Sequence, residues 1–225
     1  MSNPHEGHRA RTRKEFLEKG LAHMPDHEKL ELLLYYSIPR GDTNLIGHAL
    51  MNRFGSFAGV FDAPFELLRE VEGVGDASAT QIKVIAALIR AYMDDYSNAH
   101  NTIRSAADAR EFMCYKFLCE SAERVLMACV GGNGKVVYCD VVAEGSPESV
   151  QLRPSVLIRT ALLANAVRVV LAHNHPNGIC NPSQNDLHAT RVLQAEFSRL
   201  NIELYDHVII APGGSFSMRE SGMLT

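Results

Sequence analysis

The sequence contains no tryptophan, and its five cysteines include no C-x-x-C pair. An odd number of scattered cysteines argues against a disulfide framework and favours a reducing compartment, so we expect a cytoplasmic protein. No apolar run approaches the roughly 18–20 residues that a membrane span needs. The opening residues, MSNPHEGHRARTRKEF, lack the apolar region of a secretory signal. We therefore predict no membrane contact.

The chain also lacks an excess of positive charge, since its formal net charge is −4. Any binding of nucleic acid would have to use a local basic patch, because the protein as a whole does not attract a polyanion. Hydrophobic residues make up 46% of the 225 residues, which is enough to bury a core without crosslinks. This length fits one large domain or two small ones.

The first half of the chain has a helical pattern. Apolar residues recur at helical spacing across residues 9–96, and residues 25–38 (PDHEKLELLLYYSI) start with a Pro-Asp pair typical of a helix start. We see no strand pattern in this half. The polar stretch 97–105 (SNAHNTIRS) interrupts the periodicity, so we predict a linker there. It would separate a helical domain at 1–97 from a second domain at 103–225.

The second half alternates between strand and helix patterns. Residues 123–130 and 135–144 are rich in valine and are separated by GGNG, which favours a β-hairpin. Residues 167–172 are almost all apolar, which is typical of a strand that is buried on both faces. Helical patterns precede and follow this strand. We therefore predict an α/β domain with a mixed sheet flanked by helices.

The segment EGVGDASA (residues 72–79) places Gly73 and Gly75 just before a predicted helix. Glycines at this spacing permit a tight turn and leave amide N–H groups open at a helix N-terminus, where a phosphate can bind. The segment resembles a helix-hairpin-helix module, which contacts DNA phosphates without reading bases. A DNA contact assisted by Lys83 and a plain turn between packed helices both remain open. Because DNA binding needs several cations and acidic residues are in excess here, charge favours the plain turn. Other candidate cations for a DNA contact are Arg9, Arg11, Arg13 and Lys14.

His173, His175 and Asp186 form a candidate metal site. If residues 167–172 are a strand, both histidines lie on one side of its end, because strand side chains alternate. Pro176 stops the strand, and Asp186 then lies early in the next predicted helix, from where its carboxylate can reach the same ion. Two histidines, an aspartate and one water make a tetrahedral catalytic zinc site, so we predict Zn²⁺.

The same stretch also has a purely structural interpretation. Ser183-x-x-Asp186 closely matches a helix capping box, in which case Ser183 is only an N-cap. Two histidines in a polar loop can also be exposed and idle. Capping and metal binding are compatible, because a cap fixes the start of the helix and thereby orients Asp186.

Hydrolysis by such a site needs a carboxylate near the metal that is not itself a ligand. Glu123 is the best candidate, because it immediately precedes a mostly apolar strand, where a charge is costly unless it is paired or functional. The alternative is an ordinary charge in a turn. Glu144 and Glu148 are competitors, but they lie in the loop-like segment EGSPES, where we expect exposure.

Four other polar residues lie close to this set in the pattern. Asp206 and His207 fall in the last apolar strand, where we favour a packed polar pair over contact with the metal ligands. Cys180 lies in the histidine loop, and we expect it to be exposed and not a ligand. His188 follows Asp186 by two residues, so it points roughly away if both are helical.

Glu123, His173-Asn174-His175-Pro176 and Ser183-x-x-Asp186 resemble the JAMM (MPN+) metalloprotease motif, including its seven-residue interval between H-x-H and S-x-x-D. The segments GHRARTRKEFLEKG, PDHEKLELLLYYSIPRGDTN, EGVGDASA and YDHVII resemble the RadC family over nearly the whole chain. The resemblance implies a cytidine-deaminase-like α/β fold for the second domain and Zn²⁺ on His173, His175 and Asp186. It also implies that Glu123 is the general base and acid, and that Ser183 stabilises an oxyanion.

Three functional hypotheses follow. The first is a zinc-dependent hydrolase of a peptide or isopeptide bond, which the complete set of histidines, carboxylates and serine favours. The second is a protein of DNA repair or recombination that binds DNA structures through its helix-hairpin-helix, with an accessory metal domain. The third is a protein-interaction scaffold with a vestigial metal site.

Overall fold

The computed structural model describes residues 4–120, 122–145, 153–176 and 178–224. These residues form two compact units, one ending at Ile89 and the other starting at Arg90. None of the described helices is both long enough and apolar enough to cross a membrane. The helices are α1 (Pro4–Lys19), α2 (Asp26–Leu34), α3 (Thr43–Phe54), α4 (Phe57–Asp62), α5 (Phe65–Arg69), α6 (Asp76–Ala99), α7 (Ala106–Lys116), α8 (Pro154–Leu163) and α9 (Gln184–Ser198). The strands are β1 (Arg124–Val130), β2 (Val136–Glu144), β3 (Arg168–Asn174), β4 (Glu203–Ala211) and β5 (Gly214–Ser217).

In the described residues of the first unit, helices are joined by turns and loops and no strand is present, as the sequence predicts. Leu30 and Leu34 are one helical turn apart on α2, and both are fully buried. Helix α3 ends where Gly55 adopts a left-handed conformation, with φ of 75°. The short helix α4 was not expected from the pattern. Its start is stabilised by the Ser56 hydroxyl, which accepts a hydrogen bond from the Gly59 amide at 3.0 Å.

Arg9, a candidate phosphate contact in the sequence, is instead used inside the first unit. Only 8% of its surface is exposed. Its guanidinium donates to the backbone carbonyls of Ile38, Pro39 and Gly41. A buried cation whose donors are satisfied in this way holds α1 against the loop after α2 and is not available to DNA.

The second unit contains a five-stranded sheet in the order β2-β1-β3-β4-β5. Strands β3 and β4 are parallel, and the other neighbouring pairs are antiparallel. The sheet is therefore mixed, which confirms the predicted fold class. The β1–β2 hairpin that GGNG predicts is also present. Strand β5 was not predicted, because its four residues are too few to show an alternating pattern.

Two hydrophobic clusters cover the two faces of this sheet. Met127 and Leu171 pack in one cluster with Leu193 and Phe197 of α9. The neighbouring residues on β1 and β3 enter the other cluster, which contains Phe112 and Met113 of α7. Strands β1 and β3 are thus buried on both faces, which explains why their sequences are almost continuously apolar.

The structure differs from the predicted linker at residues 97–105. Helix α6 continues to Ala99, and Thr102 forms a β-bridge with Lys135. Ile103 is fully buried, and its amide donates to the Gly134 carbonyl at 2.7 Å. The sequence gives little sign of this pairing, because the segment is mostly polar. Its backbone pairs with the hairpin, while only one large apolar side chain enters the core.

Candidate metal centre

His173, His175 and Asp186 lie together at one end of the sheet, and their candidate ligand atoms are all within 4.8 Å of one another. The Nε2 atoms of the two histidines are 3.0 Å apart. His173 Nε2 is also 3.3 Å from Asp186 Oδ1. His173 and Asp186 are buried, whereas His175 is partly exposed. The two histidine rings therefore lie side by side, as their spacing in the sequence predicts.

Strand β3 determines the positions of both histidines. His173 lies in β3 opposite Val125 of β1, and His175 follows the strand by one residue. The His175 amide donates to the Ile210 carbonyl at 2.7 Å, which extends the pairing with β4 beyond the end of β3. Because strand side chains alternate, residues two apart face the same side of the sheet.

Helix α9 supplies Asp186 through its N-terminal cap. Ser183 and Asp186 form a complete capping box, as one of the two interpretations predicted. The amide and the hydroxyl of Ser183 both donate to Asp186 Oδ2, each at 2.7 Å. Oδ1 is left for the cluster, so the cap orients the carboxylate toward the histidines.

The environment of Asp186 favours its charged form. Burial acts to raise its pKa, but the hydrogen bond and charge of His173 and the hydrogen bonds from Ser183 outweigh burial. The pKa of Asp186 therefore lies well below its ordinary value of 3.8. A buried carboxylate in this state needs a cation or a proton donor beside it.

The outer nitrogens of the histidine rings are already in use. His175 Nδ1 lies 2.9 Å from the Ile179 carbonyl, which can only accept, so Nδ1 carries the proton. His173 Nδ1 hydrogen bonds to His207 Nε2 at 2.9 Å. In both rings it is therefore Nε2 that faces the centre, where it can hold either a metal ion or an additional proton.

This donor set fits a zinc ion. Bonds of roughly 2.0–2.1 Å at tetrahedral angles place neighbouring ligand atoms about 3.3 Å apart. The two short separations at His173 Nε2 are 3.0 and 3.3 Å. Two imidazole nitrogens and one carboxylate oxygen are ligands that catalytic zinc sites use, with one position left for water. The chemistry and the spacing of these residues thus agree with a zinc ion.

Glu123 lies immediately before β1 and is half-buried. Because Val125 is opposite His173 in an antiparallel pair, Glu123 lies at the same end of the sheet as His175. Its carboxylate is not one of the three clustered groups. A carboxylate at the same end of the sheet as the cluster, but outside it, suits a general base better than a ligand.

Comparison with known proteins assigns this arrangement to a family. A family model described as the RadC-like JAB domain matches residues 103–223. The chain belongs to the RadC family. A UPF0758 protein from Ruegeria pomeroyi is 33% identical over 218 residues, which cover 96% of this chain and 97% of that protein.

Asn174 connects the candidate metal site to the segment that carries Glu123. It is buried, and it lies between the two histidines in the sequence. Its side-chain amide donates to the Ala122 carbonyl at 2.8 Å, and its Oδ1 accepts from the Arg124 amide at 2.8 Å. Asn174 therefore bonds to the backbone on both sides of Glu123. The sequence did not predict this role, for which the local signal was the position of an asparagine between two candidate ligands.

Asp206 and His207 of the RadC domain have different roles, although the sequence suggested one polar pair. Asp206 accepts hydrogen bonds from Ser217 and Arg219 and so holds the β4–β5 region, as the structural interpretation expects. His207 instead contacts His173. Its other nitrogen, Nδ1, is 2.6 Å from the hydroxyl of Thr190, which the sequence analysis did not consider. Thr190 follows Asp186 by one helical turn, which was the available signal.

The remaining predicted neighbours of the RadC site lie outside the cluster. Cys180 is half-buried and His188 is exposed, and neither belongs to the metal-ligand group. Glu144 is exposed at the end of β2, where it pairs with Arg124 at 3.3 Å. Glu148 lies outside the described residues.

The glycine turn in the first unit of this RadC protein precedes α6, as predicted. Gly73 has φ of 87°, and a β-carbon there would come within 2.7 Å of Ile46. Gly75 is exposed and has nothing within 4 Å of such an atom. Lys83 donates to the carbonyls of Phe61 and Ala63 at 3.0 and 2.9 Å. Two of its three protons are thus used inside the protein, which weakens the case for Lys83 as a phosphate contact.

Proposed function

We propose that this protein is a zinc-dependent metallohydrolase that cleaves a peptide or isopeptide bond. One observation carries the proposal: His173, His175 and Asp186 converge with their remaining hydrogen-bonding atoms used elsewhere, so that Nε2, Nε2 and Oδ1 face one point. Three atoms with lone pairs at this spacing are unfavourable in a largely buried site unless a cation binds to them. The family membership and the motif that includes Glu123 support the same function.

A bound zinc ion would polarise the scissile carbonyl and lower the pKa of a water to roughly 7. Glu123 takes the proton of the attacking water and returns it to the leaving nitrogen. Asp186 and the two histidines stay fixed during this transfer, because the capping box and the Nδ1 hydrogen bonds hold them. The Ser183 hydroxyl donates to Asp186, so it would have to turn from Oδ2 to stabilise an oxyanion.

The proposal is tested with the full chain and three variants. We expect wild type to hold one zinc ion per chain, and H173A to lose it, by elemental analysis after dialysis. E123Q should keep the zinc and lose hydrolysis of a peptide and isopeptide library. E144Q is the matched control, because Glu144 is an exposed glutamate near the same end of the sheet. It should keep both zinc and hydrolysis.

Two outcomes would contradict parts of this proposal. If E123Q hydrolyses as fast as wild type, Glu123 is not the general base. If wild type binds zinc fully but hydrolyses nothing in the library, the scaffold hypothesis with a metal site becomes the better one.

A second candidate function is DNA binding through the turn at residues 71–79. The exposure of Gly75 at the start of α6 favours it, since a β-carbon added there would meet no atom within 4 Å and a helix N-terminus can bind a phosphate. We expect fluorescence anisotropy to show binding to forked DNA that weakens steeply with salt. G75D should abolish this binding by adding a negative charge. No binding to single-stranded, duplex or forked DNA at low salt would remove this candidate.

A further inference from the structure

A chain of hydrogen bonds leads from the metal cluster into the interior between β4 and α9. His173 Nδ1 bonds to His207 Nε2 at 2.9 Å, and His207 Nδ1 bonds to Thr190 Oγ1 at 2.6 Å. Thr190 Oγ1 then lies 2.6 Å from the Asp186 backbone carbonyl. The chain thus starts at one candidate ligand and ends on the backbone of another.

The direction of these bonds follows from the last member. A carbonyl can only accept, so the single hydroxyl proton of Thr190 is donated to Asp186. The Thr190 oxygen must therefore accept from His207, which places a proton on His207 Nδ1. A neutral imidazole with its proton on Nδ1 carries a lone pair on Nε2, and the buried His207 ring directs this Nε2 at His173. That lone pair can accept only if His173 carries its proton on Nδ1.

We infer that Thr190 and His207 are positioning residues that fix the tautomer of His173, so that its Nε2 lone pair is available to the metal. The inference rests on the metal site of the proposed function and extends it to residues outside the ligand set. In metal sites the partner of a ligating histidine is usually a carboxylate, a carbonyl or water. Here a second, neutral histidine takes that place. The hydrogen bond to Thr190 on α9 determines which nitrogen of this second histidine carries the proton.

Removing the Thr190 hydroxyl should reverse the direction of the chain. In T190V the proton on His207 Nδ1 has no acceptor, and a buried unsatisfied donor is costly. The neutral ring can avoid this cost by moving its proton to Nε2. It would then donate to His173 Nδ1, so the single ring proton of neutral His173 would move from Nδ1 to Nε2, where it competes with the metal. Valine has nearly the shape of threonine, so the packing of α9 changes little.

The test measures zinc affinity of the full chain, by competition with a chromophoric chelator. We expect T190V to bind zinc about 10- to 100-fold more weakly than wild type. T190S, which keeps the hydroxyl, should restore the affinity. T12V is a matched control, because Thr12 is also a buried helical threonine that donates to the carbonyl four residues earlier. That carbonyl is the backbone oxygen of His8 in the first unit, so the bond involves no histidine ring and none of the candidate metal ligands. It should leave zinc affinity unchanged.

Nitrogen NMR of ¹⁵N-histidine-labelled protein gives a signature that a purely structural role would not produce. In wild type, His207 should be protonated on Nδ1 and unprotonated on Nε2, and in T190V the proton should move to Nε2. If T190V binds zinc with wild-type affinity while H173A does not bind zinc, the metal site stands and only the tautomer role of Thr190 and His207 is overturned. Wild-type affinity in H173A would overturn the metal site and this inference together.

Discussion

Asp186 uses its two carboxylate oxygens for different purposes. Oδ2 accepts both hydrogen bonds of the Ser183 cap, and Oδ1 lies toward His173. The two interpretations of Ser183-x-x-Asp186, a helix cap and a candidate metal ligand, are therefore compatible in one side chain. The cap would lower the entropy cost of binding a metal ion, because the Asp186 carboxylate is already held in the orientation that the site requires.

At the same scale, His207 should make stability depend on acid pH. Burial lowers its pKa to about 3 from an ordinary value of 6.5, and the charge of His173 acts in the same direction. Below about pH 6.5 the unfolded chain binds a proton at this residue that the folded protein does not bind. The contribution of neutral His207 to stability is thus present above pH 6.5 and is lost as the pH falls toward 3.

Urea denaturation of metal-free wild type and H207F measures this effect. The difference in free energy of unfolding between the two proteins should shrink as the pH is lowered through that window, because phenylalanine does not titrate. A difference that stays constant across the window would contradict the depressed pKa.

At the scale of elements, the Asn174 side chain joins β3 to the start of β1 at the end of the sheet that carries the candidate metal ligands. Asn174 belongs to β3, but its side chain replaces backbone pairing at Ala122 and Arg124. Glu123 lies between these two anchored residues. An asparagine suits this position because its amide group offers both a donor and an acceptor, whereas an apolar side chain offers neither.

We expect N174A to lower the free energy of unfolding by about 1–3 kcal/mol, because buried backbone groups lose their partners. Amide hydrogen exchange at Arg124 should accelerate, since Asn174 Oδ1 is its acceptor. N133A is the control, because Asn133 also accepts a backbone hydrogen bond, from Lys135, but is exposed in the hairpin. Wild-type protection of the Arg124 amide in N174A would show that the segment is held by other contacts.

The turn before α6 allows a second prediction at this scale. G73A should destabilise the protein by about 1–3 kcal/mol, because alanine is strained at positive φ. Its β-carbon would also lie within 3.0 Å of Ile46 side-chain atoms. G75A should change stability by less than about 1 kcal/mol, because Gly75 has no positive φ and open space around it. Denaturation followed by circular dichroism compares the two, and equal effects would contradict this account of the turn.

At the scale of the whole molecule, the strand order brings distant parts of the chain to one place. Strands β1, β3 and β4 are adjacent in the sheet, although β1 and β4 are far apart in the sequence. Glu123, His173 and His207 therefore approach one another only when the sheet has formed. A metal that binds this arrangement binds the folded state and not the unfolded chain.

Zinc should consequently raise thermal stability. At a free concentration 100 times the dissociation constant, the gain is about 2.7 kcal/mol. We expect the melting temperature of wild type to rise with zinc and to fall again when a chelator is added. H175A should show no such shift, because one ligand is missing. A rise of equal size in H175A would place zinc binding elsewhere in the protein.

The sequence by itself determined the features that depend on local periodicity. Helical spacing predicted the first half, GGNG predicted the β1–β2 hairpin, and H-x-H at a strand end placed two imidazoles on one side. These features follow from the geometry of one helix or strand, so neighbouring residues suffice to reveal them. Position along the chain already made Asp186 and Glu123 candidates, and the family resemblance implies the same roles for them.

Only the tertiary structure decided which distant atoms become partners. His207 bonds to a residue 34 positions away, and Asn174 bonds to residues about 50 positions away. In the sequence, Arg9 and Lys83 are candidate cations for a DNA contact. In the fold, both side chains donate hydrogen bonds to backbone carbonyl groups more than 20 positions away. Such pairings depend on strand order and helix packing, and no local pattern encodes them. The sequence thus identified the candidate ligands, and the fold determined how each one is held.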